Sequence, residues 1–151
     1  MDSVDRQILD LLQQNGRATV LEIAKRVKLS SPAVSERLKR LHKRGYVKRY
    51  VALLDEKKLG KQTTAFVHVS IQHPRYFPGF ISRVTEIPEV LECYRITGNH
   101  SCLLKARVKD SEALELLLNQ KIGEIEGVIN ATSEIVLSTI KEETKLDLRV
   151  E

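Results

Sequence analysis

The chain has 151 residues, of which 42% are hydrophobic and 30% are charged, and this balance is typical of a folded protein with one ordinary domain or two small ones. No segment approaches the roughly 20 consecutive apolar residues of a membrane-spanning helix, and the opening MDSVDRQILD has no apolar signal core. Two cysteines and no His/Cys cluster exclude a disulfide framework and a structural zinc site. We therefore expect a cytoplasmic protein with no metal and no membrane partner.

The excess positive charge lies entirely in the first third of the chain. Residues 1–50 hold 12 Lys/Arg and 5 Asp/Glu, a net charge of +7, whereas residues 51–151 hold 13 and 15, a net charge of −2. This division favours a basic nucleic-acid-binding domain joined to a neutral partner domain. If charge is the only evidence, a lysine-rich face on a single globular domain is about as good an explanation as a nucleic-acid-binding domain.

Apolar residues at helical spacing predict three short helices in the first 45 residues. The first covers Ser3–Gln14 with a cap at Asp2 or Ser3, and the second covers residues 19–27 with Thr19 as N-cap. The third begins at Ser31-Pro32, interpreted as N-cap and first-turn proline, and stops at Gly45. The predicted inward residues are Val4, Ile8, Leu11 and Leu12, then Leu21, Ala24 and either Val27 or Ile23, then Val34, Leu38 and Leu41.

From Thr63 onward the apolar period becomes alternating, which predicts a sheet domain. Strands are predicted over residues 63–72, 90–96, 102–108 and 128–140. A short helix is predicted before Pro88, and a longer one runs from a cap at Ser111 to near Gly127. The order βαββαβ is that of a ferredoxin-like sandwich of four antiparallel strands under two helices. The predicted inward helical residues are Phe80, Ile81, Val84 and Ile87, then Leu114, Leu117, Leu118 and Ile122.

The predicted fold class is therefore α+β, with an N-terminal winged helix-turn-helix domain of three helices and a C-terminal ferredoxin-like domain. Residues 46–53 are strand-like and are predicted to begin the wing or to leave the module as a strand. The predicted boundaries are 1–50 for the helix-turn-helix domain, 51–61 for a linker, 62–141 for the ferredoxin-like domain and 142–151 for a charged tail.

A short turn between two helices, the second of them basic, predicts a helix-turn-helix whose third helix enters the major groove of DNA. Polar groups near its start would meet base edges, and flanking lysines and arginines would neutralise phosphates. Arg37 is either one of these contacts or a buried structural partner. A solvated basic helix on a small bundle is the alternative interpretation. The predicted DNA-binding residues are Ser31, Pro32, Ser35, Glu36, Arg37, Lys39, Arg40, Lys43 and Arg44.

The same residues resemble the Lrp/AsnC ("feast/famine") family of transcription factors. The first helix has the family's paired acids followed by Ile-Leu, and the second has its Ile-Ala. The third begins with the family's Leu-Ser and carries its Val, Arg and two Leu, and a Gly-Tyr-Val segment ending in Tyr follows. The matching residues are Asp2, Asp5, Ile8, Leu9, Ile23, Ala24, Leu29, Ser30, Val34, Arg37, Leu38, Leu41, Gly45, Tyr46, Val47 and Tyr50.

The resemblance implies a homodimer, often assembled into octamers, that binds double-stranded DNA and responds to an amino-acid effector. The family's Thr-Gly-x-x-Asp loop stands here as Thr97-Gly98-Asn99-His100-Ser101, with Ser101 at the aspartate position. A serine hydroxyl bonds an ammonium more weakly than a carboxylate does, so we expect a different effector, none, or a charge supplied by Glu134. The predicted effector-binding residues are Thr97, Gly98, Asn99, His100, Ser101, Glu134, Ile135 and Val136.

The loop is also explained without a ligand, because Gly98-Asn99 makes a good hairpin turn. Cys93 and Cys102 lie on opposite arms of this hairpin, and we expect two buried, reduced thiols. No phosphate loop or nucleophile–base motif is present, so the chain is not expected to be an enzyme or to carry a cofactor. The competing functional class is an oligomeric small-molecule-binding module whose helical domain binds protein instead of DNA.

Overall fold

A computed structural model describes residues 1–149, which form two compact units. The helical unit contains Met1–Leu53 together with residues 141–149, and the sheet unit contains Leu54–Ile140. The chain therefore crosses between the units twice. Within residues 1–149 no helix is both long and apolar enough to cross a bilayer.

Three helices build the helical unit: α1 (Ser3–Gln14), α2 (Val20–Val27) and α3 (Ser31–Lys43). Asp2 caps α1, and Thr19 caps α2 with a reciprocal bond from Glu22. The N-cap of α3 is Ser30 instead of the predicted Ser31, because the Ser30 hydroxyl accepts the Ala33 N–H at 3.4 Å. The prediction was wrong by one residue, since the first turn begins before the proline.

The helical unit has its own apolar core, formed by one stripe from each helix. One of the predicted inward residues is misplaced: Leu21 is 57% exposed, because α2 turns Ile23, Ala24 and Val27 inward. Leu9 is buried beside Ile8, although the predicted stripe omitted it. The buried core residues are Ile8, Leu9, Ile23, Ala24, Val27, Val34 and Leu41.

The predicted strand over residues 46–53 is not formed. In the part of the chain that the structure describes, these residues have no strand partner. Tyr46, Tyr50 and Val51 are exposed. β-branched and aromatic residues favour an extended backbone, but a strand also needs a neighbouring strand for its N–H and C=O groups.

The sheet unit contains four antiparallel strands in the order β2-β3-β1-β4. The strands are β1 (Thr63–Ile71), β2 (Val90–Arg95), β3 (Cys102–Val108) and β4 (Val128–Ile135). Between them lie α4 (Phe77–Thr85), which follows a 3₁₀ turn at Pro74–Tyr76, and α5 (Ser111–Leu116), which continues as a π-helical segment over Leu117–Ile122. This is the predicted βαββαβ order, and the α+β fold class is confirmed.

Two boundaries of the sheet unit differ from the prediction. The cap of α5 is Asp110, whose Oδ1 accepts the Ala113 N–H at 2.9 Å, and the helical segment ends at Ile122 instead of near Gly127. Strand β4 ends at Ile135 instead of residue 140, because Ile135 pairs with Ala65 close to the start of β1. Past that point only Thr63 and Thr64 of β1 remain, and the Val136 N–H donates to Thr64 O at 2.9 Å.

The core of the sheet unit lies on the helix-covered face of the sheet. Ala65, Val67 and Val69 of β1 are fully buried, and the alternate residues of β1 lie on the opposite face. Ile81 is 53% exposed, so its predicted inward position was wrong, whereas Phe80 and Val84 are buried. Both thiols are free, but Cys93 is exposed and only Cys102 is buried. The expectation of two buried thiols fails because Cys93 lies on the edge strand.

Candidate nucleic-acid interface and effector site

An exposed stripe runs along α3. Pro32, Glu36, Lys39 and Lys43 are all exposed, and their spacing of three or four residues puts them on one side of the helix. The buried residues Val34 and Leu41 lie on the other side. Ser31 and Ser35 flank the stripe and are half-buried. The helix therefore presents two lysines, a carboxylate and its capped N-terminus to the outside.

Two arginines fasten α3 to the start of α1. Arg37 Nη1 lies 2.7 Å from Asp2 Oδ2 and 2.7 Å from Asp5 Oδ1, and Arg40 Nη2 lies 3.1 Å from both carboxylate oxygens of Asp5. The Asp5 side chain is only 4% exposed. A buried carboxylate with two guanidinium partners holds the two helices in one fixed relation.

These contacts shift the pKa values of both aspartates downward. Burial raises the pKa of Asp5, but the hydrogen bonds from Arg37 and from the Asp2 N–H lower it further, so the net direction is down. The pKa of Asp2 is lowered chiefly by the Asp5 N–H and then by Arg37. Both groups are therefore carboxylates at neutral pH.

The predicted DNA-binding residues fall into two groups. Pro32, Glu36, Lys39 and Lys43 share the exposed stripe, and Arg44, the C-cap residue, is also exposed. Arg37 points towards α1, so of the two roles left open for it the structure supports the structural one. Arg40 lies between the two groups, because it is paired with Asp5 and its side chain is still 42% exposed.

Further exposed cations surround α3 within the helical unit. Lys28 ends α2 with a left-handed backbone (φ 56°), which turns the chain sharply into α3. Such flanking cations are suited to neutralising a polyanion along the edges of the helix. The exposed flanking residues are Lys25, Lys28, Lys48 and Arg49.

The second candidate site is the loop between β2 and β3. Ser101 anchors it to β1, because its N–H donates to Val69 O at 2.8 Å and its Oγ accepts the Ile71 N–H at 3.0 Å. Gly98 has φ +113°, a backbone conformation that only glycine adopts readily. The Ser101 oxygen is therefore engaged in holding the loop, while its hydroxyl proton remains able to donate.

A histidine pair lies beside this loop. His100 Nδ1 is 3.1 Å from Ser70 Oγ, and the His100 and His68 rings are 4.9 Å apart between centroids. His68 Nε2 lies 3.8 Å from Glu134 Oε2. His68 and Ser70 are not among the residues predicted from the sequence for this site. The alternation of β1 places both on the face opposite the core, so this pattern could have identified them.

The predicted effector residues do not form one cluster within a single chain. His68 lies between His100, which is next to Ser101 in the chain, and Glu134. Ile135 pairs with Ala65, and the Val136 N–H donates to Thr64 O. Ala65 and Thr64 lie four to seven residues along β1 from Val69 and Ile71, roughly 14–24 Å at the usual rise per residue, at the end of β1 where Glu134 pairs with Phe66. Thr97, Gly98 and Asn99 are exposed at the loop tip. In the part of the chain that the structure describes, no group of three or more metal-ligating side chains is present.

The chain was compared with known families and proteins. Residues 1–48 match a winged helix-turn-helix DNA-binding family, and residues 64–146 match the Lrp/AsnC ligand binding domain. The chain belongs to the Lrp/AsnC family. It is 33% identical over 149 residues to the HTH-type transcriptional regulator FL11 of Pyrococcus furiosus, covering 99% of this chain and 97% of that protein. It is thus a helix-turn-helix transcriptional regulator of the Lrp/AsnC family.

Solved structures of regulatory proteins have the same fold. The transcriptional regulator NMB0573 of Neisseria meningitidis, solved as its L-methionine complex, has a TM-score of 0.94 and 37% identity, with 98% of this chain and 97% of that chain covered. A feast or famine regulatory protein of M. tuberculosis complexed with L-methionine has a TM-score of 0.88 and 35% identity, with 96% and 97% covered. The recognition of the family from sequence motifs is confirmed.

Proposed function

We propose that this Lrp/AsnC regulator reads duplex DNA with the exposed stripe of α3 (Pro32, Glu36, Lys39 and Lys43), assisted by Ser31, Ser35 and the exposed part of Arg40. The observation that carries the proposal is that Arg37 and Arg40 of α3 are both paired with Asp5, so the stripe on the other side of the helix faces solvent. A helix held rigidly by its inner face loses little conformational freedom when its outer face enters a groove. Arg37 acts by positioning the helix and not by touching bases.

The flanking cations supply the part of the affinity that does not depend on sequence. Arg44, Lys25 and Lys28 are exposed beside the stripe and are placed to contact phosphates. Residues 1–50 would form the DNA-binding domain, 51–61 the linker, 62–141 the effector-binding and oligomerisation domain, and 142–151 the tail. Such a regulator acts in the cytoplasm as a homodimer, or as an octamer built from dimers, because paired half-sites need paired reading helices.

We further propose that an amino acid is the effector and that it binds at the β2–β3 loop. Two relatives of closely similar fold carry L-methionine. In this chain the Ser101 hydroxyl, the His100 ring and the Glu134 carboxylate provide a donor, an imidazole and a negative charge near one another. Ile135 and Val136 directly follow Glu134 and would extend the site in that direction.

The DNA-binding proposal is tested with a labelled nonspecific duplex titrated at several salt concentrations. The double variant Lys39→Ala/Lys43→Ala should weaken binding and lower the slope of log affinity against log salt by about 2. The matched control is Lys61→Ala/Lys109→Ala, which removes two exposed lysines of the sheet unit and should bind like the unmodified protein. Equal binding by both variants would overturn the proposal. Binding that is insensitive to salt would instead favour a protein partner.

A further inference from the structure

The end of the chain returns to the helical unit. Residues 143–149, called the strap below, have no regular secondary structure and lie against α1. We propose that the strap is an intramolecular peptide ligand of α1, and that it fastens the helical unit at a second point in addition to the segment that leaves α3. The proposal does not depend on what α3 binds.

One glutamine side chain recognises the strap backbone. Gln13 Nε2 donates to Leu146 O at 3.1 Å, and the Leu146 N–H donates to Gln13 Oε1 at 2.7 Å. The amide therefore satisfies both polar backbone groups of a single residue, as a neighbouring strand would. This contact is independent of the Leu146 side chain, which is 68% exposed.

An apolar anchor and an ion pair flank this amide contact. Leu148 packs against the core of the helical unit together with Val4 and Leu11 and is the half-buried residue of the strap. Lys145 Nζ lies 3.0 Å from Asp10 Oδ1, with both side chains 40% exposed. The leucine supplies most of the attraction, because an exposed ion pair contributes little by itself.

The strap leaves the proposed reading surface free. It binds Asp10 and Gln13, near the C-terminal end of α1, whereas α3 is fastened to Asp2 and Asp5 at the N-terminal end. The exposed stripe of α3 is not covered. The strap is therefore a restraint and not a competitor for the same surface.

The restraint follows from the course of the chain. The helical unit is joined to the sheet unit through the segment after α3 and again through residues 136–142, which connect β4 to the strap. The second connection spans at most roughly 25 Å when fully extended. Two connections limit the independent tumbling of the helical unit more than one does, and the shorter one holds only while the non-covalent contacts of the strap with α1 persist. Releasing the strap removes that limit without altering α3.

Full-length variants test the strap through the exchange rate of the Leu146 amide proton, measured by NMR. Gln13→Leu and Leu148→Asp should each raise this rate about five- to tenfold, the factor that corresponds to the loss of one net hydrogen bond. Trypsin cleavage after Lys145 should accelerate in parallel. The controls are Gln7→Leu, an exposed glutamine on the same helix, and Leu146→Asp, which places the same charge on an exposed position of the strap.

Two further measurements separate release from misfolding. The charge exchange Asp10→Lys/Lys145→Asp should restore the slow exchange of the Leu146 amide proton, which either single change accelerates. Backbone ¹⁵N relaxation should show faster tumbling of the helical unit in Leu148→Asp, while far-UV circular dichroism stays unchanged. The proposal is overturned if the Leu146 amide of the unmodified protein exchanges at the rate of an unstructured peptide. It is also overturned if the amide proton of residue 146 is as strongly protected from exchange in Leu148→Asp as in Leu146→Asp.

Discussion

Arg37 of α3 donates to the buried carboxylate of Asp5 on α1 at 2.7 Å, and this contact orients the helix that carries the exposed stripe. Arg40 reaches the same carboxylate from one turn further along α3. A basic residue inside a basic helix is easily taken for a DNA contact, but here the partner carboxylate is 4% exposed. The charge of Arg37 is therefore paired with the carboxylates of Asp2 and Asp5.

Arg37→Met should destabilise the protein without directly removing a DNA contact. Asp5 keeps Arg40 as a partner, so we expect the free energy of unfolding to fall by about 1–3 kcal/mol. Lys39→Met is the matched change on the exposed side of the same helix and should stay within about 0.5 kcal/mol of the unmodified protein. Thermal melts and DNA titrations of both variants provide the measurement. A stable Arg37→Met protein that no longer binds DNA would contradict the assignment.

The Asp2 and Asp5 carboxylates should make the helical unit sensitive to acid. Their pKa values are lower in the folded than in the unfolded chain, where they are near 3.8. Their contribution is therefore complete above about pH 5 and is lost as the pH falls through 3.8 towards the folded values. Asp5→Asn should be less stable at pH 7, and its stability should decline less steeply below pH 5. Parallel decline of the two proteins in melts between pH 7 and pH 3 would argue against this linkage.

Ser101→Asp should strengthen amino-acid binding at the β2–β3 loop. A carboxylate can still accept the Ile71 N–H and can also pair with an ammonium group, and a charge-assisted hydrogen bond is worth about 1.5–3 kcal/mol, or roughly 10–100-fold in affinity. Asn99→Asp adds the same charge at the exposed tip of the loop and serves as control. Thermal-shift titrations with L-methionine should separate the two, and an equal response from both would remove Ser101 from the site.

The two thiols should differ sharply in reactivity. Burial is the main cause and the neighbouring Cys93 the second cause that raise the pKa of Cys102 to about 11. At pH 8 Cys102 is therefore almost entirely a protonated thiol. Cys93 is exposed on the edge strand. A chromogenic disulfide reagent should therefore titrate one thiol per folded chain and two in denaturant. Cys93→Ser should abolish the fast reaction, and a folded Cys93→Ser protein that still reacts rapidly would refute the difference.

Gly127→Ala should destabilise the sheet unit more than Gly98→Ala. Both glycines have a positive φ, so either substitution strains the backbone by roughly 1–2 kcal/mol. A Cβ at Gly127 would also overlap the Tyr76 ring, whereas one at Gly98 would meet no atom within 4 Å. Overpacking adds about 1–3 kcal/mol at Gly127. Chemical denaturation of the two variants tests the ranking, and equal losses would mean that Tyr76 moves aside freely.

Local signals in the sequence determined most of the secondary structure. The bounds of α1 and the order of the four strands follow from hydrophobic period and capping residues, which act over a few positions. The errors are also local in kind. Ser30 and Asp110 replace neighbouring serines as caps, because several residues in a row carry oxygens that can accept the first free N–H groups.

The family was also determined by the sequence, because motif residues keep their order and spacing along the chain. Only the tertiary structure decided that Arg37 is held by Asp5, that residues 46–53 have no strand partner, and that β4 ends where β1 begins. It alone brought Leu148 and Gln13 together, although they are far apart in sequence. Each of these outcomes depends on which distant segment lies opposite a residue, and neither period nor composition carries that information.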